Sequence, residues 1–177
     1  ALFEDLHRAR GHVDAEEQRD AQGQRGHGDQ QAEHARLGAA LVAELVAEVG
    51  RAMSAELAQL ASGAPTLPEV LDAHLLALKK HEQLYARVLC EASTLPKSAR
   101  AQVFALQSGI AFRLRNAWQR ARAQGTARDR DPVALSNIWI SLTNHYLMNR
   151  DLFAPGGSVI AQCGAALKAQ LLDLIRP

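Results

Sequence analysis

Aromatic side chains are scarce in this chain, which has only 4 Phe, 2 Trp and 2 Tyr among its 177 residues. Any core must therefore be filled by aliphatic side chains and alanine, and a hydrophobic fraction of 47% is large enough to supply them. The length is that of one domain, or of one domain with a small appendage.

Cysteine is equally scarce, since Cys90 and Cys163 are the two in the chain. Both fall on predicted apolar helix faces, so we interpret them as small buried hydrophobic side chains in a reducing, cytoplasmic compartment rather than as a disulfide framework. Long apolar runs are also missing. No stretch of about 18 uncharged apolar residues occurs, and the mixed charges at the start are not those of a signal peptide. We therefore expect no membrane association.

Signatures of catalysis are missing too. The sequence contains no glycine-rich phosphate loop, no GxSxG, no HExxH and no CxxC. We expect a protein that is not an enzyme, with no catalytic residue and no cofactor.

What the chain does contain is helical periodicity. Apolar residues recur every three or four positions from Leu37 onward, no strand-like alternation occurs, and the fold class predicted is all-α. The predicted helices cover 37–61, 67–80, 82–93, 97–124, 132–152 and the chain after Ser158. Their ends carry local signals: a capping box from Thr66 to Glu69, Asp131 and Ser158 as N-caps, and Gly125 as a C-cap.

The segment 14–36 differs from everything after it. It has no apolar residue larger than alanine, and three glycines fall between Gly23 and Gly28. Such a composition cannot offset the entropy of ordering the chain, so we predict a disordered or loosely helical segment, preceded by a short helix within 1–13.

The two closing helices are apolar on more than one side, whereas a surface helix needs a single apolar stripe. In the last helix, alanines recur every fourth position and would let another helix approach closely. One face is expected in the protein's own core and the other against a second copy of the chain. The alternative is a monomer that covers both faces itself. The predicted dimer contacts are Trp139, Ala161, Ala165 and Ala169.

A ligand pocket is predicted between 97–124 and 132–152, because these helices carry aromatic and polar residues at inward-tending positions. Few polar groups are present, which favours a small hydrophobic or aromatic ligand. The alternative is an ordinary core with locally satisfied polar groups. The candidate lining residues are Tyr85, Phe104, Phe112, Trp118, Asn144, His145, Tyr146 and Asn149.

A metal site is the weaker interpretation of the histidines. His74 and His81 share a helix face, and with His145 and Glu82 they could in principle surround a zinc ion. No pair is spaced by three or four residues, so capping or solvated histidines are favoured and no metal is expected.

A basic helix is a further candidate site. Asp129 is the only acid between Lys97 and Arg130, where Arg100, Arg113, Arg115, Arg120, Arg122 and Arg128 occur. A basic stripe is the electrostatic footprint of nucleic-acid binding. Because the arginines alternate with core positions and no aromatic stacking residues are expected on the basic face itself, a solvated face is the favoured interpretation.

The stretch NHYLMNRDLFAPGGSVIAQ, followed by an amphipathic helix ending in LLDLIRP, resembles the C-terminal end of tetracycline-repressor (TetR) family regulators. The resemblance covers roughly 37–177. It implies an all-helical homodimer that binds a small effector in its C-terminal helical domain and operator DNA through an N-terminal helix-turn-helix. The implied function is ligand-responsive transcriptional regulation, usually repression.

The resemblance divides the chain into 1–36, at the position of the DNA-binding domain, and 37–177, the ligand-binding and dimerisation domain. Ala1, Leu2 and Phe3 could match the end of the family's first helix, but the aliphatic positions of a helix-turn-helix do not follow. No DNA-contacting residue can therefore be assigned. Either the chain lacks the motif and is a helical binding protein without DNA activity, or residues from about 4 to 36 are a misread segment, such as a shifted reading frame.

Overall fold

The structure, a computed structural model, describes residues 33, 36–38, 40–44, 46–59 and 63–176. The chain divides into two compact units, Ala1–Leu41 and Val42–Pro177. In the first unit the described residues are helical and exposed. The predictions for 1–13 and 14–36 lie outside the described residues, apart from Glu33 and Arg36, and so does the question of a misread segment.

The described part of the second unit is built of α-helices and contains no strand, so the predicted all-α class is confirmed. None of the helices in this part is both long enough and apolar enough to cross a membrane. The helices are α1 (46–59), α2 (Leu67–Lys80), α3 (Glu82–Cys90), α4 (Lys97–Ala123), α5 (Pro132–Met148), α6 (Arg150–Phe153) and α7 (Val159–Ile175).

Local chemistry sets the helix starts where the sequence predicts them. Before α2, the Glu69 carboxylate accepts hydrogen bonds from the backbone N–H and the hydroxyl of Thr66, at 2.7 and 2.9 Å. Asp131 accepts from the N–H of Val133 at the start of α5, at 2.9 Å. These side chains satisfy N–H groups that have no partner inside the helix.

The helix ends follow the same logic. Gly125 comes after the last turn of α4 with φ +73°, a conformation that glycine adopts without a Cβ clash. The predicted helix 132–152 is interrupted after Met148. The Asn149 side chain donates to the carbonyl of His145 at 2.8 Å, and the short helix α6 follows.

Helix α5 lies in the middle of the described bundle, where it contacts α3, α4, α6 and α7, while α2 packs against α3, α4 and α7. The core is mostly aliphatic, as the scarcity of aromatics requires. Trp118 of α4 and Trp139 of α5 are its two largest side chains, and both are fully buried. On α4 the apolar residues that recur every three or four positions are all buried: Val103, Leu106, Ile110, Leu114 and Trp118.

Some residues of the apolar periodicity that begins at Leu37 are exposed, and the prediction that Cys90 is buried is wrong. Leu37, Leu41 and Leu174 are exposed, and Ile175 is the buried residue at the end of α7. Cys90 is exposed instead of buried, because it is the last residue of α3 and lies beyond the buried pair Val88 and Leu89; Cys163 is half-buried.

Candidate functional site

The eight predicted ligand residues lie in five separate places. Tyr85 is in the interior beside α1, and Trp118 is in the core. Phe104 and Asn144 share a groove between α4 and α5, Phe112 lines a different cleft, and the other three are at the C-terminal end of α5. The structure therefore does not collect them into the single pocket that was predicted.

Tyr85 is the predicted residue that lies against a small, partly open cavity. Its side chain is buried, and its hydroxyl accepts a hydrogen bond from the Gln107 amide at a long 3.4 Å. Burial raises the pKa of the Tyr85 hydroxyl, which keeps the group neutral and able to donate a hydrogen bond. The cavity has a volume of about 10 Å³, room for roughly one water molecule. It is lined by Val46, Val49, Tyr85, Val88, Gln102, Val103 and Leu106.

Trp118 belongs to the core, where its side chain is fully buried. The guanidinium carbon of Arg122 lies 6.0 Å from the centre of its ring. The buried indole N–H of Trp118 has no acceptor in the described part of the chain. Its observed contacts are packing contacts within the core, and a ligand contact at Trp118 stays a prediction.

Phe104 and Asn144 lie in a shallow groove of about 310 Å³ between α4 and α5. The expectation that Phe104 points inward is wrong, since it is 65% exposed. Phe104 is displaced by one position from the buried residue Val103, and that offset turns its ring to solvent. The groove is neutral, and Gln107, Ser108, Asn137 and Ser141 supply its remaining polar groups.

Phe112 is 59% exposed, so its inward placement is also wrong. It lines a surface cleft of about 340 Å³ with three polar side chains of α4, those of Arg113, Asn116 and Arg120.

The remaining three candidates build the joint between α5 and α6. The ring of Tyr146 stacks on that of Phe153 with centroids 4.0 Å apart, and His145 meets Phe153 edge-on at 5.6 Å. His145 and Asn149 are exposed, which contradicts their expected inward position. These contacts hold the short helix α6 against the end of α5 and are structural.

The four residues considered as zinc ligands in the weaker interpretation do not converge on one site within the described part of the chain. His74, on α2, is buried where this helix faces α5, and its Nδ1 accepts a hydrogen bond from the Trp139 indole at 2.8 Å. Desolvation lowers the pKa of His74 to about 3. His81 is the C-cap of α2, and His145 is exposed. No three histidine, cysteine or carboxylate side chains come together within the described residues.

Glu82, the fourth of that set, is a buried carboxylate that caps the N-terminus of α7. It accepts hydrogen bonds from the Ser158 hydroxyl at 2.5 Å and from the N–H groups of Val159 and Ile160 at 2.7 and 3.4 Å. The positive end of the helix dipole favours a negative charge at this position. Sequence reasoning missed this contact because 76 residues separate Glu82 from Ser158.

The predicted dimer contacts divide into two groups. Trp139 is wrong as a surface contact: it is fully buried in its own chain and bonded to His74. Ala161, Ala165 and Ala169 are exposed, and they line one wall of an open, mainly apolar groove of about 570 Å³ between α2 and α7. Leu76, itself 42% exposed, lies on the opposite wall.

Comparison of the chain with protein-family models, curated proteins and solved structures gave no match.

Proposed function

We propose that the protein is a cytoplasmic, ligand-responsive transcriptional regulator of the TetR type, acting as a homodimer and most simply as a repressor. Two features support this: the resemblance of the C-terminal sequence to that family, and the small cavity beside Tyr85. The cavity is the observation that carries the proposal. Its lining includes the Tyr85 hydroxyl, which can bond to a ligand, and residues of α1, the helix that follows the N-terminal unit in sequence.

The cavity offers a mechanism for the response to a ligand. Its walls are apolar, and the Tyr85 hydroxyl and the amide of Gln102 are the hydrogen-bonding groups among its lining residues. A neutral, mainly apolar molecule with one polar group matches this environment, whereas a charged one would lose its hydration without a partner.

Such a molecule is larger than the present cavity, so its binding must move a wall. Val46 and Val49 belong to α1, which follows the N-terminal unit directly in sequence. A ligand that favours a displaced α1 would shift the population between two states of the dimer and change operator affinity.

The dimer is supported by the composition of the exposed helix faces. The 17 residues of α5 contain no Asp, Glu, Lys or Arg, although Asn137, Ile138 and Ser141 are exposed. Solvated helix faces are normally charged, so an uncharged one is typical of a surface that another chain covers. Together with Ala165 of α7, this face replaces Trp139 in the proposed interface.

The ligand part of the proposal is tested by thermal shift with phenol, and with benzene as the apolar comparison. Phenol is expected to raise the midpoint of unfolding of the wild type more than benzene does. Tyr85→Phe should abolish that difference, because the anchor is lost. Tyr146→Phe is the matched control: it removes the chain's other tyrosine hydroxyl, away from the cavity, and should keep the difference. If the difference between the phenol and benzene shifts is the same in Tyr85→Phe as in the wild type, the cavity is not the ligand site.

The DNA part is tested by mass mapping of peptides from residues 1–50, followed by gel retardation of duplex DNA, including the region upstream of the gene. If residues 4–36 are a misread segment, their masses disagree with the printed sequence, and retardation should weaken steeply as salt rises. Matching masses together with no retardation would support the second candidate, a helical dimeric binding or interaction protein without DNA activity. The aliphatic-free stretch 14–36 favours that second candidate.

A further inference from the structure

Helix α4 concentrates positive charge that the described structure leaves largely unpaired. Its 27 residues include six Lys or Arg and no acid. Among the described residues, the one ion pair made by this helix joins Arg122 to Asp129 at 2.6 Å. Arg113 and Arg120 have no carboxylate partner there, so their charge is available to an anion.

Both arginines line a cleft of about 340 Å³ between α4 and the turn that precedes α2, which we call the arginine cleft. The volume lies at the lower end of the range of small-molecule sites, about 300–1,000 Å³. The lining residues are Gly63, Pro65, Gly109, Phe112, Arg113, Asn116 and Arg120.

The position of Arg120 is fixed by the protein itself. One of its terminal nitrogens donates to the carbonyl of Pro65 at 2.5 Å, which ties α4 to the turn before α2. A guanidinium has five N–H donors in a planar fork, so the others remain for a ligand. A side chain that is already ordered loses less entropy when an anion binds.

The polar groups of the arginine cleft lie in a row. Arg113, Asn116 and Arg120 are spaced by three and four residues, which places them on one face of α4. Arg113 and Arg120 are seven residues apart, or about 10 Å along the helix at 1.5 Å per residue. Because both arginine side chains are long, an anionic group placed between them can reach the Asn116 amide and both guanidinium groups.

The cleft also has an apolar surface. Phe112 is 59% exposed beside Arg113, and an exposed aromatic ring offers a flat face for stacking. Gly63, on the turn before α2, and Gly109, three residues before Phe112 on α4, add no side chain to the cleft, and a Cβ built on either would meet nothing within 4 Å. A planar ring therefore has both a stacking partner and room.

We propose that the arginine cleft binds a small planar organic anion, an aryl carboxylate or an aryl phosphate, with Arg113 and Arg120 holding the anionic group and Phe112 stacking on the ring. Arginine pairs with both groups in a planar, two-pronged geometry. This site is separate from the cavity beside Tyr85, whose lining is uncharged, and it does not depend on the proposed regulatory function.

The groove between α4 and α5 is the closest internal comparison. It contains Phe104, which is exposed to a similar degree as Phe112, but its lining carries no charged side chain. Comparison of Phe104 with Phe112 therefore distinguishes the contribution to anion binding of an exposed ring alone from that of a ring beside guanidinium groups.

The test is a calorimetric titration of the whole chain with 2-naphthoate and with 2-naphthyl phosphate, at low salt. Inorganic phosphate, which lacks the ring, and 2-naphthamide, which lacks the charge, should each bind about 10-fold more weakly than the better of the two arenes. The carboxylate and the phosphate ester, compared with each other, identify the anionic group that the cleft prefers.

Two pairs of variants locate the binding. Arg113→Gln should weaken binding about 10-fold, whereas Arg115→Gln, which removes the same charge from the same helix outside the cleft, should change it less than about 2-fold. Phe112→Ala should weaken binding several-fold, and Phe104→Ala should leave it unchanged. Circular dichroism of each variant verifies that it is folded.

Three outcomes would overturn the proposal. The first is no binding of either arene. The second is an equal loss in Arg113→Gln and Arg115→Gln, which would indicate diffuse attraction to a basic helix. The third is tighter binding of duplex DNA than of either arene, insensitive to Phe112→Ala, which would make the surface a nucleic-acid contact instead.

Discussion

Burial of His74 beside Trp139 converts a titratable residue into a neutral hydrogen-bond acceptor. The imidazole Nδ1 accepts from the indole, so the proton of the neutral ring is on Nε2. The folded pKa of about 3 lies below the ordinary value of 6.5. The unfolded chain therefore binds a proton that the folded protein excludes, and stability is lost as the pH falls from 6.5 towards 3.

This difference predicts a pH-dependent contribution to stability. When the pH falls from 7 to 5, protonation of His74 in the unfolded chain should lower the free energy of unfolding by about 2 kcal/mol. His74→Asn keeps an acceptor for the Trp139 indole and removes the titration, so its unfolding free energy should fall by correspondingly less over that interval. Urea unfolding at the two pH values measures both proteins. Identical pH dependence in the two would contradict a neutral, buried His74.

Glu82 is the other buried polar residue with a specific role. Glu82→Ala should lower the free energy of unfolding by about 2–3 kcal/mol, because it leaves the first N–H groups of α7 without their acceptor inside the protein. Glu91→Ala is a suitable control: Glu91 makes a surface ion pair with Arg87 four residues earlier, and its loss should cost at most about 0.5 kcal/mol. Denaturant unfolding of both variants compares them. A loss no greater in Glu82→Ala than in Glu91→Ala would show that the cap is not stabilising.

At the level of elements, the turn between α6 and α7 contains two adjacent glycines, and a side chain would be disfavoured at each for a different reason. Gly156 has φ +69°, a left-handed conformation that disfavours any Cβ. At Gly157 a Cβ would meet the end of the Gln162 side chain at 2.6 Å, and that flexible group can move away.

Alanine substitutions should therefore differ. Gly156→Ala is expected to cost about 1–2 kcal/mol through backbone strain, whereas Gly157→Ala should cost much less. Thermal unfolding of the two variants side by side measures the difference. A larger loss in Gly157→Ala would mean that Gln162 cannot move away.

Helix boundaries and faces differ in how far the sequence predicts them. Asp131 and Ser158 were predicted as N-caps, and each accepts a hydrogen bond from a backbone N–H of the first turn. At Thr66 the predicted pairing with Glu69 is present through the Glu69 carboxylate. These starts are predictable because capping depends on residues within one turn. Phe104 and Phe112 were placed inward because aromatic residues are usually buried, although each is displaced by one or two positions from a buried residue of α4. Tyr85 faces a cavity that three different helices form, which no local pattern reveals.

At the scale of the whole molecule, the proposed homodimer has a consequence for stability. If folding and association are coupled, a tenfold rise in protein concentration should raise the midpoint of thermal unfolding by on the order of 2 °C. Ala165→Glu places a charge in the interface and should abolish this dependence. Gln170→Glu, the control on the same helix, adds the same charge at another exposed position and should keep the dependence. Light scattering of the wild type and both variants verifies the masses. A wild type that is monomeric at all concentrations would contradict the dimer.

The hydrogen bonds between Glu82 and the start of α7 also affect the order in which the chain folds during its synthesis. The carboxylate is made early, but its partners at Ser158 and Val159 are made 76 and 77 residues later. Until they emerge, the charge stays hydrated and resists burial between the helices that precede them. We therefore expect a nascent chain that has not reached α7 to remain loosely packed on the ribosome, and the bundle to close only after α7 has emerged.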